Sequence, residues 1–321
     1  MFKNIDFEAA AARIDGVVKR TPIISVDSPD PRIDLRCKLE NRQETGSFKC
    51  RGAWNQISQL TAEEARAGVV TTSSGNHGRA LSWAARRAGV HATIVMSAES
   101  YPNKIAACRE LGAEVVLSDD LAQAEAICAE HVRAGRVLIH PYDAARTVEG
   151  AGTVGREIAL DWPDVEVVVV PVGGGGLISG TSLALRRARG PALKIFGAEP
   201  IGAPSMTRGL EAGEPVLLPG ITTQVQGLCP LDSGKVNISI CMETVSGMFQ
   251  LEDDHVIASQ RMLVAAGEVV EPAGAAGHAA VAQGMLPTAL LDGRSGDDPL
   301  RVIVVVSGGN PEPDQLAAIR G

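Results

Sequence analysis

The 321-residue sequence predicts an α/β protein with open, mostly parallel, twisted sheets flanked by helices. Two observations carry this. Short β-branched runs alternate with longer runs of helical periodicity along most of the chain. The most apolar run, VEVVVVPV (165–172), has no polar alternation and reads as a strand buried on both faces, as parallel strands are. The length favours two domains over one, and a single large α/β unit is also consistent with it.

In chain order, AGVVTTSS (67–74) reads as a strand with its exit loop, and GNHGRALSWAARRAG (75–89) as the helix that follows. HATIVMS (91–97) is a strand, and NKIAACRELG (103–112) a helix that stops at Gly112. AEVVLS (113–118), a helix ending at Gly135 and the strand RVLIHPYD (136–143) complete a β-α-β-α-β-α-β run. In the second run, EGAGTVGREIALDW (149–162) is expected to be helical after its glycines. The valine strand, a glycine loop with its helix (173–190) and the strand LKIFGAEP (193–200) come next. Segments 258–270 and 273–285 read as helices, and RVIVVVSGGN (301–310) as a strand with a glycine-rich exit. Residues 201–250 read mostly as loop.

The composition is globular, 45% hydrophobic and 21% charged. The net charge is −8, aromatics are 3%, and no basic block occurs, so a nucleic-acid partner is not expected. The N-terminal MFKNIDFEAAAARIDG is amphipathic and acidic, and no apolar run is long enough to span a bilayer. A cytoplasmic protein without a membrane partner is expected. Six dispersed cysteines form no CxxC, which suggests reduced thiols and gives no support to zinc or redox motifs.

Three glycine-bearing loops fall at the C-terminal ends of predicted strands, where ligands collect in open α/β sheets. In PVGGGGLISG (171–180), four glycines before a helix expose backbone N–H groups that suit a phosphate. The alternative is a tight turn, for which four consecutive glycines cost more than needed. The loop has neither GK[ST] nor G-x-G-x-x-G. Glu199 ends the next strand, where a dinucleotide fold places its ribose acid, so a nucleotide-dependent oxidoreductase is a rival reading. The other two loops are SSGNHG (73–78) and SGGN (307–310). In the first, Asn76 and His77 could simply cap the helix, with Ser73 or Ser74 as N-cap.

Lys49, in TGSFKCR (45–51), is the candidate nucleophile. Most lysines are solvated. Here Gly46 and Ser47 permit a close backbone approach, while Phe48 and Ala53 supply the apolar surroundings in which an amine acidifies and can form a Schiff base. A Schiff-base lysine together with a phosphate loop suggests pyridoxal 5'-phosphate (PLP), the cofactor that holds both groups.

With these loops, KLENRQETGSFKCRGAWNQ (38–56), HPYD (140–143), EPAGAAG (271–277) and VVVSGGN (304–310) resemble the fold-type II PLP enzymes, in the serine/threonine dehydratase and serine racemase branch. The blocks occur in the family's order. The resemblance implies a tryptophan synthase beta-like fold, with a large PLP-binding domain at 1–67 and 146–321, a small α/β domain at 68–145, and PLP in the cleft between them. It implies Lys49 as the Schiff-base lysine, Phe48 packed near the ring and Asn76 on the 3′ oxygen. Gly173, Gly174, Gly175, Gly176 and Leu177 are implied to bind the phosphate, and Ser307 the ring nitrogen. A neutral hydroxyl at that nitrogen suits elimination. Ser73, Ser74 and His77, with Thr45 nearby, are implied for the substrate carboxylate. The implied reaction is loss of water and ammonia from a β-hydroxy-L-amino acid to give a 2-oxo acid, in a homodimer.

Three departures from the family pattern bear on function. Ser74 stands where many dehydratases have Ala and racemases have a serine that works on the second face, so an amino-acid racemase using Lys49 and Ser74 is the alternative. Glu199 and the Ala203 carbonyl match the family's divalent-cation pattern, but Ser205 stands at the second acid's position; one carboxylate and a hydroxyl make a poor site, so no metal is expected. TTQVQGLCP (222–230) carries Val225 and Gln226 where small and acidic residues are usual, which opens the substrate to β-substituted analogues such as 3-hydroxyaspartate or phenylserine. The chain ends soon after SGGN, so an appended regulatory domain is not expected. A PLP-binding protein without turnover is a further rival.

Overall fold

The computed structural model describes residues 2–73 and 75–320. Among the described residues, ten strands form two sheets. The larger has six strands in the order β1-β2-β10-β7-β8-β9. These are β1 (Ile23–Ser25), β2 (Ile33–Leu39), β7 (Val167–Pro171), β8 (Lys194–Pro200), β9 (Gly247–Leu251) and β10 (Leu300–Val306). All its pairings are parallel except β1 with β2. The smaller sheet, in the order β5-β4-β3-β6, is wholly parallel. It contains β3 (Val69–Thr72), β4 (Ala92–Ser97), β5 (Glu114–Ser118) and β6 (Val137–Leu138).

The valine strand shows why this sheet is covered on both faces. Val167 and Val169 join the cluster of Leu35, Val302 and the helix Pro272–Ala282. Val168 and Val170 join Ile178 and Leu185, from the helix Gly176–Arg189, on the other side. Every residue of β7 is buried. Burial on both sides removes the polar alternation that a half-exposed strand keeps.

Several elements differ from the sequence expectation. The helix expected to begin after the EGAG glycines runs Ala145–Asp161 and contains them. Those glycines are contact sites. A Cβ at Gly150 would fall 2.6 Å from the Arg51 carbonyl, and one at Gly155 2.4 Å from the Thr181 carbonyl. Of RVLIHPYD, only Val137–Leu138 pairs. His140 Nδ1 accepts from the amides of Tyr142 (3.3 Å) and Asp143 (2.8 Å), which turns the chain out of the ladder. The region read as loop holds helices Ser205–Ala212 and Lys235–Thr244 and the strand β9. Among the described residues, no helix is long and apolar enough to cross a membrane.

Candidate active site

The strand exits of both sheets wall one cleft of about 1060 Å³. Lys49 enters it as the first residue of the helix Lys49–Ile57. The approach to that helix is pinned to the exit of β10: the Phe48 amide donates to the Ser307 carbonyl (3.1 Å), and the Gly309 amide to the Gly46 carbonyl (2.7 Å). Lys49 Nζ donates to the Pro141 carbonyl at 2.9 Å and lies 5.2 Å from the Phe48 ring centroid. Desolvation lowers its pKa from 10.5 to about 8, against the Glu271 charge, which raises it. The amine is therefore substantially neutral, and nucleophilic, at mildly alkaline pH.

The glycine loop walls the same cleft. Gly175 takes φ +92° and caps the helix that begins at Gly176. The Gly174 carbonyl is drawn away by the Gly234 amide (3.1 Å) and by Asn237 Nδ2 (2.7 Å). Among the described residues, the N–H groups of Gly173 through Leu177 have no acceptor. They form a cradle for an anion at a helix N-terminus. Tyr142 closes one side, so tightly that a Cβ on Gly174 would sit 2.3 Å from its Cγ. The Tyr142 hydroxyl donates to Asp232 (3.0 Å).

Asn76 begins the helix Asn76–Ala88 and donates through Nδ2 to Glu271 Oε1 at 2.5 Å. Burial raises the Glu271 pKa to about 6 even though the Asn76 bond lowers it. Ser73 Oγ accepts from the Gly78 amide (3.0 Å), so this serine acts as a cap for the helix. The His77 ring is buried, with Nε2 3.0 Å from the Ile139 carbonyl. Burial, with Lys49 adding to it, lowers its pKa to about 3, so the ring is neutral and Nε2 carries the proton. Ser307 is buried on the cleft wall, with Oγ 3.4 Å from the Ala273 carbonyl.

Phe48, Lys49, Ser73, Asn76, His77, the 173–177 loop and Ser307 thus share one cavity. Ser74 lies outside the described residues. Thr45 is buried beside the cleft, its hydroxyl donating to the Ser47 carbonyl (3.3 Å). Glu199 is elsewhere. Its two oxygens accept from the Met206 (3.1 Å) and Thr207 (3.0 Å) amides and cap the helix Ser205–Ala212. Burial raises its pKa to about 7. Ser205, at the second acid's position, bonds instead to Ser233 Oγ (2.9 Å). Among the described residues, no cluster of three or more His, Cys, Asp or Glu side chains could hold a metal. Sequence reasoning gave no role to Pro141, which acts through a carbonyl, nor to Glu271 and Asn310, whose partners are distant in sequence.

The sequence profile of the family described as "Pyridoxal-phosphate dependent enzyme" matches residues 14–308. The chain is 36% identical to an L-threonine ammonia-lyase of Thermotoga maritima over 319 residues, 98% of this chain and 77% of that protein. It is 33% identical to a phenylserine dehydratase of Ralstonia pickettii, over 85% of each. A solved structure of maize serine racemase, 32% identical, superposes with a TM-score of 0.88 over 97% of this chain and 94% of that one.

Proposed function

The chain belongs to the pyridoxal-phosphate-dependent enzyme family, and on that premise we propose that it is an ammonia-lyase acting on a β-hydroxy-L-amino acid. The observation that carries this reading is the pairing of an acidified amine, Lys49, with the empty-handed amides of 173–177 on the walls of one cleft. These residues fit PLP. The amides take its phosphate, Lys49 its carbonyl carbon, Ser307 its ring nitrogen, and Asn76 its 3′ oxygen.

When bound, PLP supplies the electron sink that acidifies the substrate Cα–H bond. Lys49, neutral once released from the cofactor, takes that proton. The β C–O bond would break as the hydroxyl takes up one proton, matching the one Lys49 removed, and leaves as water; the enamine set free then takes up one water and yields a 2-oxo acid and ammonia. The substrate carboxylate is received by the 73–78 loop, Ser73, Ser74 and His77. Because the His77 ring is neutral and held by the Ile139 carbonyl, that residue contributes through its backbone N–H. Phe48 packs beside the ring.

The same reading assigns 1–67 and 146–321 to a cofactor-holding domain and 68–145 to a smaller one, in a cytoplasmic homodimer. An amino acid is the substrate class. The test is a panel of β-hydroxy amino acids, including serine, threonine, 3-hydroxyaspartate and phenylserine, assayed for 2-oxo acid. A PLP-loaded protein that releases none from any of them refutes the lyase assignment. The likeness to serine racemase supports a second reading in which Ser74 serves the opposite face. Chiral analysis of recovered serine from wild type and Ser74→Ala tests it.

A further inference from the structure

The Asn310 side chain sits where three loops meet. Gly46, at φ +75°, makes room for it, since a Cβ there would fall 2.3 Å from Asn310 Oδ1. Asn310 Nδ2 donates to the Thr45 carbonyl (3.0 Å) and to Asn76 Oδ1 (2.6 Å). Its Oδ1 accepts from Arg79 Nη1 (2.6 Å). A backbone carbonyl only accepts and a guanidinium only donates. These two partners settle which end of the Asn310 amide is nitrogen and which is oxygen, the usual ambiguity of such groups. Asn76 must then turn its own oxygen to Asn310 and its Nδ2 away.

Turned that way, Asn76 Nδ2 gives one hydrogen to Glu271 Oε1 (2.5 Å) and keeps the other on the cleft wall. A flipped Asn76 would set oxygen against the Glu271 carboxyl and nitrogen against Asn310 nitrogen, two contacts of like polarity. The orientation of Asn76 is thus dictated by its neighbours: Asn310 and Glu271 on the cleft wall, and behind Asn310 the guanidinium of Arg79, which does not line the cleft.

We propose that Arg79 and Asn310 are positioning residues that lock the Asn76 amide with its donor toward the 3′ oxygen of the cofactor. This rests on the PLP reading above. The deprotonated 3′ oxygen is an acceptor. A reversed amide loses that bond and leaves two acceptors facing each other, which corresponds to about tenfold in affinity. Arg79 rises from the helix Asn76–Ala88 and Asn310 from the exit of β10, so the lock also ties the two sheets together along this wall.

The test is PLP binding to apoprotein, with the pH midpoint of the visible absorption band as a second readout. It compares wild type, Arg79→Met and Asn310→Asp, each also in an Asn76→Ala background. Asn310→Asp presents an acceptor where Asn76 now meets a donor, and so draws Nδ2 out of the cleft. Arg79→Met releases the Asn310 oxygen and keeps the test open should Asn310→Asp fail to fold. Each variant is expected to weaken PLP binding about tenfold. Each is also expected to move the band's midpoint to higher pH, because an oxygen that loses a donor holds its proton more tightly. Both effects are expected to vanish without the Asn76 amide. Affinity and midpoint unchanged from wild type, or effects of equal size in the Asn76→Ala background, overturn the proposal. A wild type that binds no PLP overturns the cofactor reading and this proposal with it, an outcome distinct from the other two.

Discussion

Lys49 Nζ and the Pro141 carbonyl oxygen lie 2.9 Å apart, joining the first turn of the helix Lys49–Ile57 to the loop that leaves β6. A carbonyl can accept from an ammonium and, more weakly, from an amine, so this bond is available to hold the nitrogen in both protonation states. The acidity then comes from desolvation, which brings the pKa to about 8. The rate at which apoprotein captures PLP is expected to rise with pH through a midpoint near 8, not near the 10.5 of a solvated lysine. Stopped-flow absorbance checks this, and Lys49→Ala should yield no visible band. The sign for stability follows from the same shift. Between about 8 and 10.5 the unfolded chain holds the extra proton, so wild-type apoprotein should gain stability with rising pH relative to Lys49→Met.

Gly174 and Tyr142 make the proposed phosphate cradle sensitive to a single methyl group. A Cβ on Gly174 would lie 2.3–2.5 Å from three ring carbons of Tyr142, and the near end of an aromatic ring cannot swing aside cheaply. Gly174→Ala should weaken PLP binding at least tenfold, read by equilibrium dialysis. Adding Tyr142→Ala removes the atoms in conflict, so the double variant should bind PLP better than Gly174→Ala alone. If it binds worse, the cradle's shape is not set by this contact.

How far the sequence could be read follows from where the information sits. The alternation from β3 to β5 and the valine strand were legible because their apolar periods are local. The helix Ala145–Asp161 was misjudged at its start, since glycine is a helix breaker by propensity. What keeps Gly150, Gly152 and Gly155 helical is close approach to Arg51, Phe7 and Thr181, which only the folded chain reveals. The helix Lys235–Thr244 lay in the segment read mostly as loop, and its β-branched residues give it little helix propensity; buried Asn237 anchors it to the Tyr142 and Gly174 carbonyls. In the cleft, Lys49 and the glycine loops stood out through their spacing. Pro141 could not, because a carbonyl has no sequence signature. Glu199 carried the misleading signal of a strand-end acid, and its oxygens are spent on a helix N-terminus.

Glu271 is a carboxyl that burial keeps protonated further up the pH scale than usual, to about 6. A raised folded-state pKa means that its favourable contribution is complete below about 4.5 and is lost as pH rises through 6. The loss amounts to about 2 kcal/mol. Glu271→Gln has nothing to titrate and still accepts from Asn76. Urea unfolding of apoprotein from pH 4 to 7 should therefore show wild type falling below the variant by about that amount as pH rises. Parallel curves would refute the shift.

Arg51, two residues beyond Lys49, anchors the lysine's helix from behind. Its Nε donates to Glu40 Oε2 (2.7 Å) and its Nη1 to Glu157 Oε1 (2.6 Å), while Lys38 Nζ donates to Glu157 Oε2 (2.6 Å). Arg51, Lys38 and Glu40 are all 0% exposed. Burial alone would raise the Glu40 carboxyl, but the neighbouring guanidinium holds it below the usual range. The set is balanced, two cations against two carboxylates, and breaking such a set costs more than its absence would. Arg51→Met strands Glu40 and is expected to lose roughly 3–5 kcal/mol in urea unfolding. Arg51→Lys cannot reproduce the fork and should fall between. The deciding measurement is Arg51→Met combined with Glu40→Gln. If the penalty comes from an uncompensated buried charge, the double variant recovers part of the loss; if it comes from lost packing, the double variant is at least as unstable as the single.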